Sequence, residues 1–182
     1  MRIARAGLFE LTLPLVEPFV ISGGTIAERR SLIVVLHDDA GNVGYGESPP
    51  FELPFYSEET LAGARDMIVR VLLPRVVGRE FDEPAPAAVD AVLRDGVRGN
   101  WFARAGIETA VWDLEAQRRN TGLAALIGEA LDVQPAGTVA CGVALGIPPE
   151  RRADMLTRWV YEAAQRGYRR VKIKVAPGWD AA

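Results

Sequence analysis

Cysteine is almost missing from this chain: Cys141 is the single one among 182 residues. An internal disulfide is thereby excluded, a cysteine-based zinc site lacks ligands, and the usage fits a reducing cytoplasm. An excess of positive charge is missing too. The formal net charge is −3, acids and bases are interspersed, and no basic stripe faces a phosphate backbone, so no nucleic-acid partner is expected. Long hydrophobic runs are also lacking. The apolar stretch from Leu8 to Leu15 is broken by Glu10, Thr12 and Pro14 and followed by Glu17 and Pro18. It is too short and polar for a signal peptide or membrane span, even with Arg2 and Arg5 before it. The expectation is a cytoplasmic protein with no membrane partner. His37, the one histidine, precedes a turn and reads as a surface residue.

What is present is an ordinary soluble composition. With 49% hydrophobic residues, the chain can build one core, or a domain plus part of another. Ile3 to Leu13 alternates as a strand, Ser31 to His37 is a second apolar run, and Asp38 to Asn42 is a hairpin turn into Val43 to Glu47. Helical spacing then begins. Ser57 is a candidate N-cap, Glu58 and Glu59 suit the positive end of a helix dipole, and Leu61, Met67, Ile68, Val71 and Leu72 repeat at helical intervals up to Pro74. Further helices are predicted from Pro84 to Arg94 and from an Asn100 cap through Trp101 to Arg119, stopping at Asn120 to Gly122. Strands followed by helices predict an α+β layer arrangement over residues 1–130.

Between residues 129 and 137 the pattern changes. Thr138 to Ile147 is a continuous apolar run, as in a strand buried on both faces. Pro148 and Pro149 start a helix that Gly167 ends, and Arg169 to Val175 is the next strand. Residues 131–182 thus read as one βαβ unit, the start of an incomplete (β/α) TIM-like barrel. A barrel alone needs about 250 residues.

That last strand carries Lys172 and Lys174. Side chains alternate across a strand, so the two ammonium groups share a face. Taken alone, this is the wet face of an amphipathic edge strand whose dry face is Val171, Ile173 and Val175. Facing an interior, each charge would raise the cost of the other, lower both pKa values and make one lysine a general base near neutral pH.

The order of small sheet, helical layer and βα repeat with Lys-x-Lys resembles the enolase superfamily, in its muconate lactonizing enzyme branch. The stretch Ala103 to Glu115 is similar to that branch's signature helix, and Gly44-Tyr45-Gly46-Glu47 to its third strand. Pro14 to Phe19, Pro54 to Ser57, and Val171 to Val175 running into Pro177-Gly178-Trp179-Asp180 resemble the N-acylamino acid racemase / o-succinylbenzoate synthase group. The resemblance implies an enzyme that removes a proton α to a carboxylate and holds the enediolate on a divalent metal, Mg²⁺ or Mn²⁺. It implies that Lys174 is an acid/base and Lys172 an electrostatic partner of the small carboxylate substrate. The reaction is then the dehydration of the menaquinone pathway, an N-acylamino acid racemisation, or both. Other members of the branch, a dipeptide epimerase or muconate cycloisomerase, remain open, as does a homo-oligomer. So does a noncatalytic interaction module that kept the capping layer.

Loops that close over the barrel mouth are implied at Phe19, Ser22 and Thr25 and at Phe51, Phe55 and Tyr56, with Tyr56 the strongest candidate for substrate contact. Cys141 and Ala144 fall on the first barrel strand, and Ala144 stands where the racemases usually carry serine. Glu47, Glu108 and Asp113 read as hydrogen-bond and ion-pair partners rather than metal ligands. The metal ligands and a second lysine base are expected on later strands, so this chain alone is expected to be inactive. Trp179 and Asp180 read as a structured loop first and a site wall second.

Overall fold

Large apolar residues on one strand and glycines on the next set the packing of the first sheet. Strands β1 (Ile3–Ile21), β2 (Gly24–Asp38) and β3 (Val43–Ser48) form an antiparallel sheet in the order β1-β2-β3. The register sets Leu32 opposite Ser48, Val34 opposite Gly46 and Leu36 opposite Gly44, and all six side-chain positions are buried. The turn between β2 and β3 is held by Asp38, whose carboxylate accepts from Asn42 N at 2.8 Å and Asn42 Nδ2 at 2.7 Å. Gly41, at φ +91°, takes the left-handed position there.

The computed structural model describes residues 1–21 and 24–179. They fall into two units, Met1–Thr12 with Arg30–Pro135, and Leu13–Arg29 with Ala136–Ala182. The distal arm of the β1–β2 hairpin therefore belongs with the second unit. This corrects the sequence reading at Phe19 and Thr25: neither lies on a loop, because the strands run on past the apolar core stretch into the hairpin arm.

In the first unit the sheet is covered by helices. Helix α1 (Leu61–Met67) is capped by Thr60, whose hydroxyl accepts from Gly63 N at 3.1 Å. Ser57 is not the cap; its hydroxyl donates to Glu59 O at 3.4 Å. A π-helical stretch, Ile68–Leu72, follows and leads into α2 (Leu73–Val76). Pro74 explains it. Proline has no N–H and its ring would strike the carbonyl four residues back, so the preceding turn widens and Leu73 N donates to Ile68 O instead. The widened turn also keeps Leu61, Ala64, Ile68, Leu72 and Val76 on one buried stripe, where steps of four residues in a pure α-helix would drift by about 40° each.

Helix α3 (Ala85–Arg94) starts at Pro84, as the sequence suggests. Helix α4 (Trp101–Arg118) begins after Asn100, which sits at φ 56° and makes no side-chain cap. The cap comes from elsewhere. Glu59, 8% exposed, turns its carboxylate onto the N-terminus of α4, accepting from Phe102 N at 3.0 and 3.1 Å and from Ala103 N at 3.2 Å. The expected dipole role of Glu59 is therefore real but serves a different helix. Glu59→Ala should cost about 1.5–3 kcal/mol, the range for hydrogen bonds to a charged acceptor, and Glu59→Gln less. Urea unfolding followed by far-UV circular dichroism would check both values.

Helix α5 (Leu123–Leu131) has no counterpart in the sequence reading. It packs on α4 through Leu126 and leaves through a left-handed Asp132.

In the second unit, β4 (Val143–Leu145) and β5 (Val171–Ile173) pair in parallel, linked by a 3₁₀ turn at Pro149–Arg151 and helix α6 (Ala153–Gln165). The α+β layer followed by a βαβ start is the expected architecture. Both strands are shorter than predicted, and β4 is not buried on both faces: Val143 and Leu145 are half-buried and Ala144 is exposed. The described β4 has a single neighbouring strand, so much of its surface stays open. At the start of α6, two hydrogen bonds from Arg152 hold the Asp154 carboxyl below the usual carboxylate range.

Candidate active site

Strand alternation and register place the two lysines. Lys172 lies opposite Ala144 on the parallel neighbour, and Lys174 follows one residue past the strand, its N–H still donating to Leu145 O at 3.1 Å. Lys172 and Lys174 therefore share the face of Ala144. Lys172 is exposed and Lys174 half-buried. A serine at position 144 would stand directly beside Lys172; alanine leaves that neighbour apolar.

Phe19 is brought to the same end of this sheet. A Cβ at Gly146 would meet the Phe19 ring at 3.5 Å, and Ile147 N donates to Val20 O at 3.5 Å. On the helix side, Phe19, Val143, Leu145, Met155 and Trp159 line a groove of about 610 Å³, and neither lysine lines it. Thr25 is exposed on β2. Cys141 is exposed ahead of β4, its Sγ donating to Val139 O at 3.6 Å. Ser22 lies outside the described residues, as does Asp180.

The other aromatic candidates belong to the first unit. Phe51, half-buried, stands 5.0 Å from the Phe55 ring centroid and 6.0 Å from that of Tyr56, the latter edge-on. Phe55 is 59% and Tyr56 78% exposed, so the aromatic surface points outward. Their segment is closed at its base. Leu61 N donates to Phe51 O at 2.9 Å, Arg30 pairs with both Glu52 and Glu10, and the Glu59 carboxylate holds α4.

No three His, Cys, Asp or Glu side chains among the described residues converge as a metal site. Asp113 is committed to Tyr45 N at 2.8 Å; Glu47 is exposed and Glu108 half-buried. These residues do not fit a divalent metal, and no step through one is assigned to this chain.

Sequence reasoning missed one signal. Lys172 and Lys174 are the only lysines in the chain; apart from His37, every other basic side chain is arginine. Arginine stays protonated in proteins, whereas lysine can give up its proton. A chain that otherwise uses arginine places its two lysines side by side.

Comparison with known proteins identifies the family. Residues 5–128 match the family described as mandelate racemase / muconate lactonizing enzyme, N-terminal domain. Over 180 residues the chain is 37% identical to the o-succinylbenzoate synthase of Bacillus subtilis, covering 99% of this chain and 46% of that protein. It is 41% identical to the N-succinylamino acid racemase of Thermus thermophilus, with the same coverage. A crystal structure of a dipeptide epimerase from Enterococcus faecalis, complexed with Mg and the dipeptide L-Leu-L-Tyr, superposes with a TM-score of 0.84 at 28% identity, covering 100% of this chain and 48% of that one. The chain spans about half the length of the curated relatives it matches.

Proposed function

The chain belongs to the mandelate racemase / muconate lactonizing enzyme family, and on that premise we propose that it supplies the N-terminal half of an enzyme abstracting a proton α to a carboxylate. Residues 1–130 serve as its capping domain and 131–182 as the start of its (β/α) barrel. The chemistry is o-succinylbenzoate synthesis by dehydration, N-acylamino acid racemisation, or both. The observation that carries this reading is the lysine pair, Lys172 on β5 and Lys174 one residue past it, on the face of Ala144 of a parallel neighbour.

Lys174, half-buried, takes the α-proton as the base and gives one back in the reverse direction as the acid. Lys172, more exposed, opposes the carboxylate and the negative charge that develops on it. Within the second unit Phe19, Thr25 and Cys141 are assigned to substrate contact, and within the first Phe51, Phe55 and Tyr56 present an apolar surface suited to an acyl or aryl substituent. Ser22, outside the described residues, is assigned to substrate binding on sequence grounds alone. A divalent metal, Mg²⁺ or Mn²⁺, would be held by residues other than those described and would supply positive charge opposite the carboxylate. The protein works in the cytoplasm on a small carboxylate.

Two measurements test this. Reading the frame past Ala182 should reveal acidic residues spaced at strand ends and a further lysine; an unrelated continuation or a stop would sink the proposal. The continuous protein, incubated in D₂O with an N-acylamino acid, should exchange the α-proton in NMR spectra, while the cyclohexadiene precursor should yield o-succinylbenzoate. Activity on one and not the other assigns the reaction.

A further inference from the structure

We propose that Trp179 is a positioning residue that fixes the backbone of Lys174 through its indole N–H. The inference rests on the reading of Lys174 as the acid/base. Lys174 lies one residue beyond β5, where a strand end loses its ladder and its backbone is free to fray. Its N–H keeps one ladder bond, to Leu145 O at 3.1 Å. Its carbonyl is taken by Trp179, whose Nε1 donates to Lys174 O at 3.2 Å.

Trp179 is itself held firmly. It is 8% exposed and packs with Ile147, Ala176, Val20 and Leu156. Its own N–H donates to Ala176 O at 2.9 Å. Gly178, at φ +74°, reverses the chain just before it, and the Arg151 guanidinium donates to Gly178 O at 3.3 Å and Pro177 O at 3.5 Å. Residues 174–179 thus form a closed ring whose far side is anchored in apolar packing. Buried indoles normally find an acceptor for their N–H; here the acceptor is the candidate acid/base's own carbonyl. With both peptide groups of Lys174 bonded, the Cα–Cβ direction is set and only the side-chain torsions remain free. A proton transfer that depends on placement to a fraction of an ångström is served by that restriction.

Trp179→Phe keeps a ring in the packing and removes the donor. In the 182-residue chain, hydrogen exchange at the Lys174 amide should quicken about twofold to tenfold, the span of one net hydrogen bond, while α4 amides are unchanged. In the continuous protein, kcat should fall by a similar factor with KM unchanged, a split that simple loss of stability would not give. Arg151→Ala, which loosens the same ring without touching the indole, should move both readouts the same way and serves if the Phe variant does not fold. Unchanged exchange at Lys174 overturns the clamp, and quickened exchange with unchanged kcat overturns its positioning role. A wild-type protein with no α-proton exchange, in which the Lys174 amide still responds to the variant, overturns the acid/base reading instead.

Discussion

Lys174→Ala in the continuous protein should lower α-proton exchange by about 10²- to 10⁴-fold, the usual contribution of a positioned general base. Lys174→Arg is the sharper variant. It keeps the charge and most of the stem but holds its proton at every pH a protein tolerates, so it should be as impaired as the alanine variant. Lys172 should behave differently. Its proposed task is to stay positive, so Lys172→Arg should retain a sizeable share of the rate while Lys172→Ala loses it. Exchange of the α-proton in D₂O, followed by NMR, reads all four variants. A Lys174→Arg enzyme within about tenfold of wild type would show that this residue does not carry the proton.

Gly46→Ala should be the most damaging single methyl in the first unit. A Cβ there would stand 2.1 Å from Gly106 O and 2.6 Å from Ala110 N, and at the neighbouring Gly44 it would stand 2.3 Å from Ala110 O and 2.4 Å from Leu114 N. These obstacles are the backbone of α4, which cannot rotate away as a flexible side chain would. Overpacking a core commonly costs about 1–3 kcal/mol, and a clash with helix backbone belongs at or above the top of that range. Against a typical net stability of about 5–15 kcal/mol, the variant should lose a large part of its folded population. Gly122→Ala is the control. It has φ −75° with nothing within 4 Å, so it should be neutral or stabilising by about 0.4–1 kcal/mol. Urea midpoints of the two variants side by side would decide: a Gly46→Ala chain as stable as Gly122→Ala would mean that β3 and α4 do not approach this closely.

The parts of this fold that are legible in the sequence are those whose cause is local. The Asp38-to-Asn42 turn, the Pro84 helix start and the stop of α4 ahead of Asn120 each follow from a few adjacent residues, and the structure shows them. Helix α5 is hidden because Gly122 supplies no side-chain cap and its apolar residues blend into the run before the boundary. The π-helical stretch requires the conflict between Pro74 and the turn before it to be worked through in space. Glu59 belongs, by sequence, to the nearest helix, whereas its partners lie 43 and 44 residues on. The length of β4 depends on how much of its neighbour pairs with it, which no property of Thr138 to Ile147 encodes. For the site, alternation places the lysines on one face, but the bond from Trp179 to Lys174 O cannot be read from a loop sequence.

The base of the aromatic segment bears on how it would meet a ligand. Phe55 and Tyr56 are exposed, yet the backbone that carries them is pinned where Leu61 meets Phe51 and where Glu59 meets α4. Ordering a free backbone costs about 1–2 kcal/mol per residue, and binding to a loose loop would forfeit that from the affinity. Here much of the backbone entropy is already spent in folding. In the proposed site a ligand would have only the rotamers of a few rings left to order, so weak apolar contacts would translate into selectivity instead of being consumed in taming the chain.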